Sequence, residues 1–176
     1  DDESVRRDLD LAEPTEKAVE MVRFGWGKIS VRLKHTEPVP IVYANESEVV
    51  HIVFHLLLNA FQAGGKNAVI DVELGHREGG AIVSVSDRGP GIPSNHLPHI
   101  FDPFFTTGRP GRLGLGLSLS WEMARHNGGR IEADNRSEGG AVFTLWLPAE
   151  KASPEPDRTL AEANGTSKGP RTRERC

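Results

Sequence analysis

The stretch Phe54 to Gly64 reads FHLLLNAFQAG. It is too apolar for a surface helix, yet it is interrupted by polar residues at regular intervals. Together with the residues before it, the polar side chains fall at Glu48, His51, His55, Asn59 and Gln62, at spacings of 3, 4, 4 and 3. Those spacings draw one line along a helix. Ile52, Val53, Leu56, Leu57, Ala60 and Phe61 cover the remainder. Asn45 stands where an N-cap would, with Glu48 three residues on, and Gly64-Gly65 supplies a stop. The pattern predicts a helix from Glu46 to about Ala63 with an apolar body and one polar stripe. Near its start, Glu48 and His51 read as a wetted face. Asn59 reads differently, because Lys, Glu or Arg would be better helix formers at a solvated position by about a few tenths of a kcal/mol. An Asn carbonyl oxygen suits a hard cation such as Mg2+, which keeps most of its waters and needs few protein ligands.

Outward from this helix, the sequence predicts a short helix over Glu16–Phe24 and a half-buried strand over Lys28–Lys34, where Ile29, Val31 and Leu33 alternate. Residues 40–44 read as a second short strand. On the other side, AVIDVEL (68–74) and AIVSVSD (81–87) form a hairpin through the turn GHREGG. A Gly/Pro-rich stretch follows from Arg88 to Leu113, with a helical turn near His96–Phe101. A loop of that length inside a domain is usually functional. A helix from about Gly114 to Asn127 and the strands RIEADN and AVFTLWLP complete the pattern at Pro148.

The bulk numbers are those of one ordinary domain. The chain has 176 residues, a net charge of -4 and no apolar run of membrane-spanning length. It offers no broad basic footprint for nucleic acid. The single cysteine, Cys176, cannot form an intrachain disulfide, which fits a reducing compartment. The sequence starts DDESVRR without a methionine, as a piece of something longer would. Residues 1–14 read as a frayed, charged leader, the end of a removed helical region. Residues 149–176 hold almost no large apolar residues and read as a disordered tail.

Two glycine-rich blocks carry chemistry. In VSDRGPGIP a strand ends on Asp87, followed by Gly89 and Gly91. Asp-x-Gly-x-Gly makes many surface turns. A carboxylate at a strand end can also accept from the exocyclic amine of adenine, while glycines admit a flat ring. Guanine would present an oxygen there, and such a mismatch can be rejected by up to about 10^4-fold. In RLGLGLSLS, Gly114 and Gly116 open a helix whose free amides make a phosphate seat or, more plainly, a hinge. Between the blocks, FDPFFTTGRPG supplies Phe101, Phe104 and Phe105, two threonines and Arg109, with Arg112 just beyond. An aromatic anchor before a Gly/Pro hinge is what a closing lid requires.

In this order, the asparagine on a helix, Asp-x-Gly-x-Gly, Phe-Asp-Pro-Phe-Phe-Thr-Thr and Gly-Leu-Gly-Leu-Ser resemble the N, G1, F and G2 boxes of sensor histidine kinases. The match is to their catalytic, ATP-binding domain, whose nucleotide fold is shared with the gyrase, Hsp90 and MutL ATPases. The likeness covers about residues 15–148. It implies a two-layer α/β sandwich of Bergerat type, with a mixed sheet of about five strands, about three helices and a flexible ATP lid.

The resemblance also implies roles. Asn59 would be the Mg2+ ligand, and Asp87 would hold the adenine amine, with Gly89, Gly91 and Ile92 along the ring. Gln62 and Ala63 would line the wall. Phe101 and Phe105, or Phe104, with Thr106, Thr107, Arg109 and Arg112, would form the lid side. Leu113, Gly114, Leu115, Gly116 and Leu117 would hold phosphates. His55 stands where many members have another Asn; it would orient or deprotonate the attacking group, or simply line the wall. The basic residue usual after Thr-Thr is Gly108 here, and the expected lid glycine is Arg112, so the lid carries a one-residue shift. The family's phosphoacceptor histidine is absent from this stretch, since His35-Thr36-Glu37-Pro38 follows a strand and precedes a turn. The resemblance therefore implies a cytoplasmic, monomeric catalytic fragment that uses ATP and Mg2+. Its partners would be the dimerisation and phosphoacceptor domain of a parent kinase and a response regulator. A membrane anchor, if there is one, would lie elsewhere in the parent.

Overall fold

A computed structural model describes residues 5–26, 29–65, 68–106 and 113–149. The expected disordered tail lies outside these, as do Thr107, Arg109 and Arg112. The elements run β1 (Arg7–Leu9), α1 (Ala12–Trp26), β2 (Ser30–His35), β3 (Val42–Ala44), α2 (Glu46–Gly64), β4 (Val69–Arg77), β5 (Gly80–Ser86), α3 (Gly116–His126), β6 (Arg130–Asn135) and β7 (Ala141–Pro148). A 3-10 turn at Leu97–His99 interrupts the long stretch before α3. The five-stranded sheet has the order β2-β4-β5-β7-β6, and β1 and β3 form a separate pair. Only β2 and β4 are parallel in the large sheet. The chain between them crosses over through β3 and α2, as parallel neighbours require. This is the expected two-layer α/β sandwich.

Period-2 alternation divides the sheet. Ile70, Val72 and Leu74 of β4, Ala81, Val83 and Val85 of β5, and Leu145 and Leu147 of β7 are buried. They join Ile52, Val53, Leu56 and Leu57 of α2 in one core. On the other pleat, charges pair across strands. Arg32 bonds Asp71 at 2.6 Å and Lys34 bonds Glu73 at 3.3 Å, each opposite its register partner. A slip of one residue would turn every one of these pairs into the core.

The structure corrects several expectations. The leader is not frayed at Arg7–Leu9, which pairs antiparallel with β3, and Leu9 and Leu11 are buried in the core. Helix α1 starts before Glu16. Pro14 falls in its first turn, where a missing N–H leaves no bond unmade. The hairpin strands run into GHREGG. Only Glu78 and Gly79 turn, with φ of 52° and 72°, which matches the twist of a two-residue hairpin.

Helix α2 begins as expected. The Asn45 side chain accepts from the Glu48 amide at 3.0 Å. Its seating depends on a residue the sequence did not single out, Asn127 at the end of α3, which is 1 % exposed. Asn127 Oδ1 accepts from the Asn45 amide at 2.7 Å. Its Nδ2 donates to Glu48 at 2.6 Å and to the Met123 carbonyl at 2.8 Å. His126 adds a contact to Glu48 at 2.9 Å. Glu48 is thus a tie between helices rather than a wetted residue. Truncating Asn127 to Ala orphans a buried amide and a carboxylate, and should destabilise the chain by about 1–3 kcal/mol. Urea unfolding should show a lower midpoint with an unchanged slope.

Candidate nucleotide site

A cavity of about 470 Å3 opens beside α2, within the range of ~300–1,000 Å3 common for small-ligand sites. Helix α2 contributes His55, Asn59, Gln62 and Ala63; the loop after β5 contributes Asp87, Gly91 and Ile92. Phe105 and Thr106 stand across from them. Leu113, Gly114, Leu115, Gly116 and Leu117 close the side where α3 begins. The structure therefore brings together most of the residues singled out in the sequence.

The sequence predicts a strand ending on Asp87, but β5 stops at Ser86, and Asp87 is the first residue after it, 2 % exposed. Its Oδ1 accepts from the Gly89 amide at 2.7 Å and the Ala141 amide at 3.3 Å. Both bonds take the same oxygen, which leaves Oδ2 without a partner among the described residues. A buried carboxylate held in this way can accept from a donor of a ligand in the cavity. Also along the cavity wall, α3 begins without a side-chain cap, because its N-cap is Leu115. Leu115, Gly116 and Leu117 at its start line the cavity, and uncapped amides with the helix dipole favour an anion. Gly114 has φ +66°, and a Cβ there would lie 2.6 Å from the Phe105 carbonyl oxygen. Only glycine lets the chain pass so close behind Phe105 and turn into α3.

His55 is half-buried between two features. Its ring stacks on His51, with centroids 4.6 Å apart. Its Nδ1 would lie 2.9 Å from a Cβ on Gly116. Burial lowers its pKa from the ordinary histidine value, and the charge of His51 lowers it further. The imidazole is accordingly neutral at physiological pH, with a lone pair for hydrogen bonding. His51 is not a solvated residue either, since its Nε2 is buried without a partner among the described residues.

Two expected residues fall elsewhere. Gly89 does not line the cavity; a Cβ on it would meet the Cβ and carbonyl of Ala63 at 2.9 Å, so its smallness serves loop-to-helix packing. Phe101 lines a second cavity with Trp121, Leu119 and Glu122 on the other side of Leu115. Of the two lid phenylalanines, Phe105 faces the cavity, and Phe104 is 70 % exposed. The sequence missed Leu58, Pro90, Pro93, His96, Ile100, Ala141 and Phe143, which also line the cavity. Their spacing marks several of them as core, and nothing in it separates a core contact from a cavity wall.

Comparison with known proteins identifies the family and fold that the chain is similar to. Residues 44–151 match the family described as histidine kinase-, DNA gyrase B-, and HSP90-like ATPase. The sensor histidine kinase ZraS of Escherichia coli K12 is 34 % identical over 129 residues, covering 73 % of this chain and 28 % of that protein. The signal transduction histidine-protein kinase AfsQ2 of Streptomyces coelicolor is 39 % identical over 127 residues, covering 67 % and 23 %. The chain thus spans about a quarter of the length of these relatives. Among solved structures, the catalytic domain of histidine kinase ThkA superposes with a TM-score of 0.74 at 28 % identity, covering 82 % of this chain and 95 % of that one.

The lowered pKa of His55 sets a pH dependence. Between that value and the unfolded value near 6.5, the unfolded chain binds the extra proton. The stabilisation is therefore complete above about pH 6.5 and is lost as pH falls through the folded value. In metal-free, nucleotide-free buffer, His55→Gln should flatten the fall in melting temperature between neutral and mildly acidic pH.

Proposed function

Because the chain belongs to the histidine kinase-, DNA gyrase B- and HSP90-like ATPase family, in its sensor histidine kinase branch, we propose that its cavity binds Mg-ATP. We further propose that it donates the γ-phosphoryl group to a histidine on a separate dimerising domain of a parent kinase. That phosphate would then pass to an aspartate of a response regulator. The observation that carries this reading is what lines one cavity together: a buried carboxylate, Asp87, and the start of a helix with no side-chain cap.

Asp87 Oδ2 accepts from the exocyclic amine of adenine, while Gly91 and Ile92 bound the ring. The amides from Gly114 to Leu117 take phosphate oxygens. Thr107, Arg109 and Arg112 complete the lid side in this reading. Asn59 offers its side-chain oxygen to Mg2+, which supplies charge neutralisation of the phosphates. No group of three or more His, Cys, Asp or Glu residues that could hold a metal occurs among the described residues. That fits an ion which arrives with its nucleotide and needs few protein ligands. His55 lies one turn before Asn59. It gives a neutral imidazole nitrogen to orient the attacking group, and with His55→Ala phosphoryl transfer should slow by about 10^2-fold or more.

Catalysis here is mainly positioning and electrostatics. The catalytic unit is proposed to end near Pro148 and to act as a monomer, with its dimeric partner supplying the nucleophile. No helix among the described residues is long and apolar enough to cross a membrane. A cytoplasmic setting is part of the proposal.

Calorimetry should show ATP binding in the presence of Mg2+ and much weaker GTP binding. Asp87→Asn should weaken ATP by about 10^2-fold or more, since an unpaired buried polar group can cost up to about 10^4-fold in discrimination. With γ-labelled ATP, the chain alone should transfer negligibly and should label an added phosphoacceptor domain. Rapid self-labelling, or no ATP binding, would overturn the reading.

A further inference from the structure

The loop that carries Asp87 has a bond of its own, from the Gly89 amide to Asp87 Oδ1, but that bond does not reach Ile92. Both of its ends are tied to the end of the β6–β7 hairpin, at Asn135, Arg136 and Ala141. At the Asp87 end, the Asp87 amide donates to the Ala141 carbonyl at 3.0 Å. The Ala141 amide returns a bond to Asp87 Oδ1. Arg136 Nη1 donates to the Asp87 carbonyl at 2.8 Å. At the other end, Asn135 Oδ1 accepts from the Ile92 amide at 2.7 Å, and Asn135 Nδ2 donates to the Ile92 carbonyl at 2.7 Å. One side chain thus satisfies both backbone groups of one loop residue, in the manner of a strand pair. Packing leaves no slack. A Cβ on Gly91, where φ is +78°, would lie 2.8 Å from Asn135 Oδ1, and one on Gly140 would lie 2.1 Å from the Asp87 carbonyl oxygen.

We propose that Asn135, with Arg136, is a positioning residue that fixes the Asp87–Ile92 loop and thereby sets which purine the cavity accepts. The inference rests on the reading of the cavity as an ATP site. Neither residue lines the cavity, so the effect passes through the backbone of the loop. The carboxylate and the ring-bounding backbone at Gly91 must keep a fixed separation for adenine to satisfy one while lying against the other. Among the described residues, the end of the β6–β7 hairpin bonds both ends of that span. A loop freed at Ile92 would still offer a carboxylate, but at no fixed distance from the ring. Misplacement by about 1 Å can cost about 10^2-fold.

The test uses the full chain with Asn135→Ala and Arg136→Ala. In ligand-free protein, Asn135→Ala should speed amide exchange at Ile92 by about 10-fold or more, with little change in melting temperature. ATP affinity should fall about 10-fold while GTP affinity stays nearly constant, so the ratio between them narrows. Arg136→Ala should narrow it less. A merely structural role would lower both affinities together and leave the ratio intact, and that result would overturn the proposal. So would unchanged exchange at Ile92. Should Asn135→Ala fail to fold, Arg136→Ala decides alone, and an unchanged ratio refutes the inference. An unaltered chain that bound no ATP would refute the reading of the cavity itself, whereas unchanged variants beside an ATP-binding parent refute only the positioning role.

Discussion

The site depends on how α2 is seated. This helix serves two environments at once. Val49, Ile52, Val53, Leu56, Leu57 and Ala60 are buried in the core, while His55, Asn59 and Gln62 line the cavity. A rotation by one residue, about 100°, would carry Asn59 into the core and expose Leu57. Hydrophobic matching sets the rotation only loosely, because neighbouring apolar faces overlap. The buried bonds of Asn127 to the Asn45 amide and to Glu48 fix it more tightly, since each is directional and costly to leave unmade. The end of α3 therefore fixes the helix that carries the polar wall, and the start of α3 lines the same cavity.

The charge inventory of the cavity constrains its occupant. Among the described lining residues there is one carboxylate, Asp87, and there is no lysine or arginine. His55 is held neutral by burial and by His51. A polyanion entering such a space meets helix amides but little fixed positive charge. It must bring a cation with it or draw one from the lid side. Asn59 suits the first route, because a neutral oxygen can bind a cation without adding a negative charge that would repel the anion.

What the sequence revealed follows from what periodicity can encode. Residues 130–135 and 141–148 were read at their true boundaries, because paired glycines bracket alternating strands. Helix α2 was read through its stripe and its caps. Strand β1 was hidden, since one buried leucine among charges makes no pattern, and its partner β3 lies far along the chain. Periodicity gave the face of Glu48 and His51 but not what packs against it. Residues such as Phe143 and Ile100 look alike whether they fill a core or wall a cavity. Asn135 was out of reach for a different reason: its partner, Ile92, is 43 residues away, and a single polar residue at a strand end reads as a turn.

The two halves of the cavity are built differently, and this bears on how a ligand could be gripped. The Asp87 half grows out of a central strand and is cross-bonded to β7 and to the β6–β7 turn. The Phe105 half is bonded mostly to itself. His96, His99, Asp102 and Phe105 each donate a backbone bond to a carbonyl three residues back, at Pro93, His96, His99 and Asp102. Among the described residues, the backbone of this run is tied to the start of α3 by the bond from the Phe104 amide to the Gly114 carbonyl at 3.1 Å. Phe104 has φ +67°, a conformation that non-glycine residues seldom hold. Local bonds of this kind open at much lower free energy than a sheet ladder. A ligand seated against Asp87 would thus meet a wall that is already formed, and the side bearing Phe105 and Thr106 could adjust to it. Gripping on the Asp87 side and adjustment on the Phe105 side would then be separable.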